Sequence, residues 1–198
     1  MPTTQKNICP LRTFFVPLQN RNSVAGFANR FVLVADTYYI IGMEEKTIQI
    51  KYAEYPSVET LPPAEREVLE KAIEATATAY SPYSHFCVGA AVLLDNGEIV
   101  TGSNQENVAY PSGLCAERTA MFAASARYPK VPMRKIAIVG KNQQGELCAA
   151  TPCGACRQVM SEYQDVAGQN LQIILYSEGG TVLVFDGIDT LLPLRFSF

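Results

Sequence analysis

The sequence predicts an α/β domain of three layers, α/β/α, with helices on both faces of a mixed five-stranded sheet. Three observations carry that prediction. Apolar stripes at helical spacing alternate with short runs at strand spacing, in the order helix, two strands, helix, strand, helix, two strands. At 198 residues, 48% apolar and 18% charged, the chain is large and apolar enough to fill such a core. Breaker and turn signals, "SPYS", "DNG" and "EGG", fall between the runs rather than inside them.

Residues 1–42 differ from the rest of the chain. They lack a clear period, hold one acidic residue, Asp36, and end in "YYIIG" directly before Met43. Two readings stand level: Met43 is the true initiator and 1–42 is translated upstream sequence, or 1–42 is a poorly ordered extension of a single domain at 43–198. From Met43 the text becomes "MEEKTIQI", a polar start and a short strand-like alternation. Pro62 and Pro63 then open a helix whose positive end suits Glu65 and Glu67. Its apolar stripe is Val68, Leu69, Ala72, Ile73, Thr76 and Ala79. "HFCVGAAVLLDNGEIVTGSN" reads as two strands joined at Asp95-Asn96-Gly97. "GLCAERTAMFAAS" opens a helix from about Leu114 to Arg127, apolar on nearly every face and therefore expected to be mostly buried. "KIAIVG" is a short buried strand, and "GACRQVMSEY" starts a third helix after Pro152-Cys153. "LQIILYS" and "TVLVFD" are two strands around Glu178-Gly179-Gly180.

A formal charge of −3 and a pI near 5.3 leave no electrostatic footprint for a nucleic acid. The apolar run Phe31 to Gly42 is interrupted by Asp36 and too short to span a bilayer, so no membrane is expected. Of six cysteines, Cys9, Cys87, Cys115, Cys148, Cys153 and Cys156, the pair Cys153-Gly-Ala-Cys156 is spaced for a metal or a redox centre. With no secretory signal read before them, the expectation is a reducing, cytoplasmic compartment.

Cys115 and the Cys153/Cys156 pair occupy equivalent places, each opening a helix after a strand, and such places gather at one edge of an α/β sheet. Two helix N-termini aimed at one spot favour thiolates. Three thiolates suit a tetrahedral zinc ion with one place open. A structural zinc would instead close that place with His85, Cys87 or Cys148. An open place holds water, whose pKa zinc lowers towards about 7. Glu117, two residues after Cys115, is then the candidate proton carrier. Arg118 and Arg157 each follow a key residue and are the candidates to hydrogen-bond the sulfurs and draw off their charge.

From about Pro62 onward the chain resembles the cytidine deaminase-like zinc superfamily, and within it the small tetrameric cytidine deaminases. The residues that carry the resemblance are "CAERTA" at 115–120 and "TPCGACRQVMSE" at 151–162. "SPYSHFCVGAA", "SNQENVAYPSG" and "LLPLRF" extend it. The resemblance implies one zinc ion per subunit on Cys115, Cys153 and Cys156, and hydrolytic deamination of cytidine and deoxycytidine with Glu117 as the catalytic residue. It implies that Phe86 packs near the pyrimidine and that Asn104 and Glu106 bind ribose hydroxyls. The backbone near Ala116 and Val108 would contact water or base, Tyr110 would lie near a subunit boundary, and Phe196 would stack into a neighbouring subunit's site. A homotetramer acting on a small nucleoside, and not on nucleic acid, is the implied assembly. The competing readings are an aminopyrimidine-antibiotic deaminase, a zinc-binding protein without turnover, and a nucleic-acid editor.

Overall fold

In the computed structural model, which describes residues 30–34, 37–41 and 44–197, contacts divide the chain between Lys46 and Thr47. In the first unit, β1 (Arg30–Val34) pairs antiparallel with β2 (Thr37–Ile41) as a hairpin, Val34 opposite Thr37. Met43, the expected initiator, lies outside the described residues, and so does Cys9.

The second unit runs β3 (Ala53–Tyr55), α1 (Pro63–Ala75), β4 (Cys87–Leu94), β5 (Ile99–Ser103), α2 (Ala116–Arg127) and β6 (Met133–Lys141). It continues with β7 (Leu147–Cys148), α3 (Gly154–Ala167), β8 (Gln172–Tyr176) and β9 (Val182–Asp186). The strand order is β3-β9-β8-β6-β4-β5, with β7 paired to the end of β6. The sheet is mixed: β6 and β8 run parallel and the other pairs are antiparallel. A parallel pair needs a crossover, and α3 lies on the connection that supplies it.

The sheet has seven strands where five were expected. The five are β4, β5, β6, β8 and β9; the additions are β3 and β7, of three and two residues. Runs that short carry no alternation to read. The alternation at 47–50 does not form a strand, and pairing to β9 begins only at Ala53.

β6 is the longest strand and its centre, Ile136 to Val139, is fully buried because helices cover both faces. On one face Val68, Leu69 and Ala72 of α1 pack with Ala91, Ala137, Val139 and Ile174. On the other, Ala116, Ala120, Met121 and Ala124 of α2 and Met160 of α3 pack with Ala90, Val92, Ile136 and Ile138. Two glycines set the layer spacing. A Cβ at Gly89 would lie 2.0 Å from the Ala72 carbonyl oxygen, and one at Gly102 would lie 2.4 Å from the Ala120 nitrogen. Each helix rests on bare backbone there, which no other residue type allows.

α2 departs from expectation twice. It begins at Ala116 with Cys115 as its N-cap, two residues later than expected. It is also not buried on most sides: Phe122 is 43% exposed, and Ala123 and Ala126 are exposed beside it. No helix among the described residues is long and apolar enough to cross a membrane.

Candidate active site

The two helices on one face of the sheet begin with cysteine. Cys115 is the N-cap of α2 and Cys153 the N-cap of α3, both in extended backbone, and neither side chain caps its own helix. An N-cap normally serves the first-turn amides. These thiols instead turn to each other. Cys115 Sγ lies 3.8 Å from Cys153 Sγ, and Cys153 Sγ lies 3.5 Å from Cys156 Sγ. All three sulfurs fall within 4.8 Å of one another. A tetrahedron with zinc–sulfur bonds of about 2.3 Å has sulfur–sulfur edges of about 3.8 Å, so the donors fit a zinc ion by type and by spacing. His85, Cys87 and Cys148 do not join the group. Cys87 pairs with the Ser81 hydroxyl, while Cys148 lies against the backbone of Gly140. The five described cysteines are all free thiols.

Charge is graded across the group. The Cys115 thiol is held down at about 5, chiefly by hydrogen bonding from Cys156 and then from Arg118. Cys156 is pushed the other way, because its proton is shared onto Cys115 and because it is buried. Arg118 Nη2 donates to Cys115 Sγ at 3.9 Å, while its Nε is buried without a partner. Arg157, the second arginine expected at the sulfurs, directs its hydrogen bonds elsewhere. Nε donates to the Pro152 carbonyl at 2.9 Å and Nη1 to the Leu191 carbonyl at 2.8 Å.

Glu117 is 4% exposed. Burial raises its pKa above the usual carboxylate range, and the neighbouring Cys115 thiolate pushes the same way. A carboxyl so placed holds a proton more readily than an ordinary glutamate, as a proton carrier should.

Cys115, Cys153 and Glu117 border a cleft of about 520 Å³, with Cys156 buried behind them. Phe86, Asn104, Glu106, Tyr110, Ala116, Arg118 and Cys153 line it. Phe196 does not line its own chain's cleft; it is 67% exposed. Among these lining residues, Asn104 and Glu106 are held by the 83–88 segment. Asn104 Oδ1 accepts from the Val88 amide at 2.8 Å, and Nδ2 donates to the Phe86 carbonyl at 2.9 Å. Glu106 accepts from the amides of Tyr83 and Ser84 and from the Ser84 hydroxyl, which holds its pKa down. A carboxylate offers about four acceptor sites, and Asn104 keeps a second amide hydrogen, so both can take a further partner. Ser84 has no place among the sequence candidates, where it is one letter of a breaker. A serine whose hydroxyl accepts from the Phe86 amide and faces Glu106 leaves no periodic trace in sequence.

Residues 63–168, more than half of the chain, match the family model described as the cytidine and deoxycytidylate deaminase zinc-binding region. The chain belongs to this family. The cytidine deaminase of Halalkalibacterium halodurans is 43% identical over 95 residues, which are 48% of this chain and 68% of that one. A cytidine deaminase of Mycobacterium tuberculosis is 44% identical over 92 residues, 46% of this chain and 65% of its relative. Among solved structures, the Burkholderia pseudomallei cytidine deaminase superposes with a TM-score of 0.56 at 39% identity. That match covers 66% of this chain and 97% of the other. The M. tuberculosis enzyme gives 0.53 at 35% identity, over 67% and 96%. The family's matched region is zinc-binding, and the three-cysteine group lies wholly within it.

Proposed function

We propose that the chain catalyses hydrolytic deamination of cytidine and deoxycytidine to uridine and deoxyuridine, releasing ammonia. The observation that carries this reading is a buried carboxyl, Glu117, beside three clustered sulfurs that no fourth described cysteine, histidine or acid joins. Cys115, Cys153 and Cys156 would hold one zinc ion, which when bound acidifies and orients a water molecule. Glu117 takes a proton from the attacking water, delivers it to the ring nitrogen of the pyrimidine, and later assists departure of ammonia. The first-turn amides of α2 and α3, which no side chain caps, face charge that develops at the reacting centre. Phe86 packs against the base, while Asn104 and Glu106 read the sugar hydroxyls from opposite ends of the segment that latches Phe86. Arg118 tempers the thiolate charge at Cys115.

The same reading makes residues 43–198 the catalytic domain and 1–42 an extension. The enzyme works in the cytoplasm as a homotetramer, with Tyr110 near a subunit boundary and Phe196 offered to a neighbouring subunit's site. Exposure of Phe122, Ala123 and Ala126 on one side of α2 supports a second copy of the chain as its cover. An ultraviolet assay of cytidine turnover, with zinc quantified in the same samples, tests the reading on the full chain and on a chain begun at Met43. Zinc bound at one per subunit with turnover is expected. Zinc without turnover would mark a binding protein and overturn it.

A further inference from the structure

The segment after β9 is fastened to α3 at five residues along one side of that helix. Gln164 Nε2 donates to Asp189 Oδ2 at 3.3 Å, while Gln164 Oε1 accepts from the Ile188 amide at 3.0 Å. Arg195 pairs with Asp165 at 2.8 Å and Asp189 at 3.3 Å, and Nη1 also donates to the Ser161 hydroxyl at 3.1 Å. Gln158 Nε2 donates to the Phe196 carbonyl at 3.0 Å. Arg157, Ser161 and Asp165 stand one helical turn apart, so the chain lies along this side of α3 as a strap.

Arg157 ends that series, and its guanidinium has two addresses. One is Leu191, in the strap; the other is Pro152, whose carbonyl belongs to the peptide that leads into Cys153. Cys153 is the most exposed of the three thiols, its side chain does not cap α3, and its own carbonyl accepts from the Arg157 amide at 2.9 Å, so Arg157 holds the peptides on both sides of it. A guanidinium is a rigid planar fork, so fixing one arm fixes the direction of the other.

We infer that the C-terminal segment is an intramolecular brace for the metal site, with Arg157 as the positioning residue that transmits it to Cys153. This rests on the reading that the three cysteines hold zinc. The brace keeps the Cys153 sulfur within bonding reach of the ion, so its loss shows as faster metal release, not as a change of fold. Residues outside the cluster, Arg195 above all, therefore control metal retention from a distance. Arg195 touches neither the ligands nor the cleft.

The test is zinc release from the zinc-loaded full chain into a chromophoric chelator, followed by absorbance. Arg157→Gln is expected to release zinc about tenfold faster, in line with the usual cost of losing a partner behind a ligand. Arg195→Gln should release it severalfold faster. Arg157→Lys, which keeps one donor for one carbonyl, should fall between wild type and Arg157→Gln. Arg134→Gln is the control: it breaks a surface ion pair with Asp95 at 3.1 Å and a hydrogen bond to the Gln169 side chain, touches no residue of the strap, and should release zinc at the wild-type rate. Zinc held at one per chain but released within twofold of wild type by both Arg157→Gln and Arg195→Gln would overturn the brace and leave the proposed function standing. A rise for Arg134→Gln equal to that for Arg195→Gln would also overturn it, as general loosening. A wild-type chain that holds no zinc would overturn both readings together.

Discussion

Glu117 is a carboxyl kept almost out of water two residues from a thiolate, and its burial has consequences beyond catalysis. Its folded pKa lies above the ordinary 4.5, so across the window between the two values the native chain holds a proton the unfolded chain has lost. Stability of the metal-free fold therefore falls as pH rises through that window. Glu117→Gln removes the penalty: in metal-free protein at neutral pH its melting temperature should exceed that of wild type, and the gap should close in acid. The same substitution should retain zinc and lower kcat by roughly 10²–10⁴-fold, read by steady-state assay. Arg118→Gln removes the guanidinium that donates to Cys115 and should reduce activity by roughly 10–100-fold, in a folded protein with its zinc in place. The grouping of Cys115, Cys153 and Cys156 is legible in sequence because a tetrahedral metal site needs these residue types where helices start after strands. Arg157 is not: adjacency to Cys156 suggested a sulfur partner, while the chain path brought two carbonyls to its guanidinium instead.

Elements meet at the site through contacts that leave little slack. At Gly102 the backbone of β5 touches the backbone of α2 at Ala120 and Ala116. Gly102→Ala cannot be absorbed by a side-chain rotation, because the neighbouring atoms are main chain. It should destabilise the fold by roughly 1–3 kcal/mol in urea titration. Because α2 must move outward, and Cys115 with it, zinc content at limiting metal should also fall. The alternation of stripes and runs exposed every strand of five or more residues and all three α-helices of the second unit. It missed β3 and β7, which have too few residues for a period and owe their pairing to β9 and β6. The start of α2 was displaced for a related reason. Leu114 and Cys115 suit a helix by type, but Cys115 adopts an extended backbone at the cap, where its thiol meets Cys153.

For the whole molecule, the uncovered side of α2 is the feature a single copy does not explain. Thr119, Phe122, Ala123 and Ala126 recur at helical spacing with three of the four exposed. On the homotetramer proposed above, Phe122→Glu should lower the assembly mass seen by light scattering while the isolated fold survives in circular dichroism. Composition predicts a buried helix here because it counts apolar residues without saying what covers them, and a single copy leaves this side uncovered.

The one parallel pair, β6 with β8, has a further meaning in time. Neighbouring β4 and β5 close through a short turn, a fast local event, whereas Cys115 and Cys153 are 38 residues apart, with β6 between them in sequence, and meet on one face of the sheet. Capture of the ion therefore waits on long-range closure. In refolding experiments, metal uptake should trail the appearance of secondary structure and share the rate of the slowest structural phase, making the ion a clock for the last step of assembly.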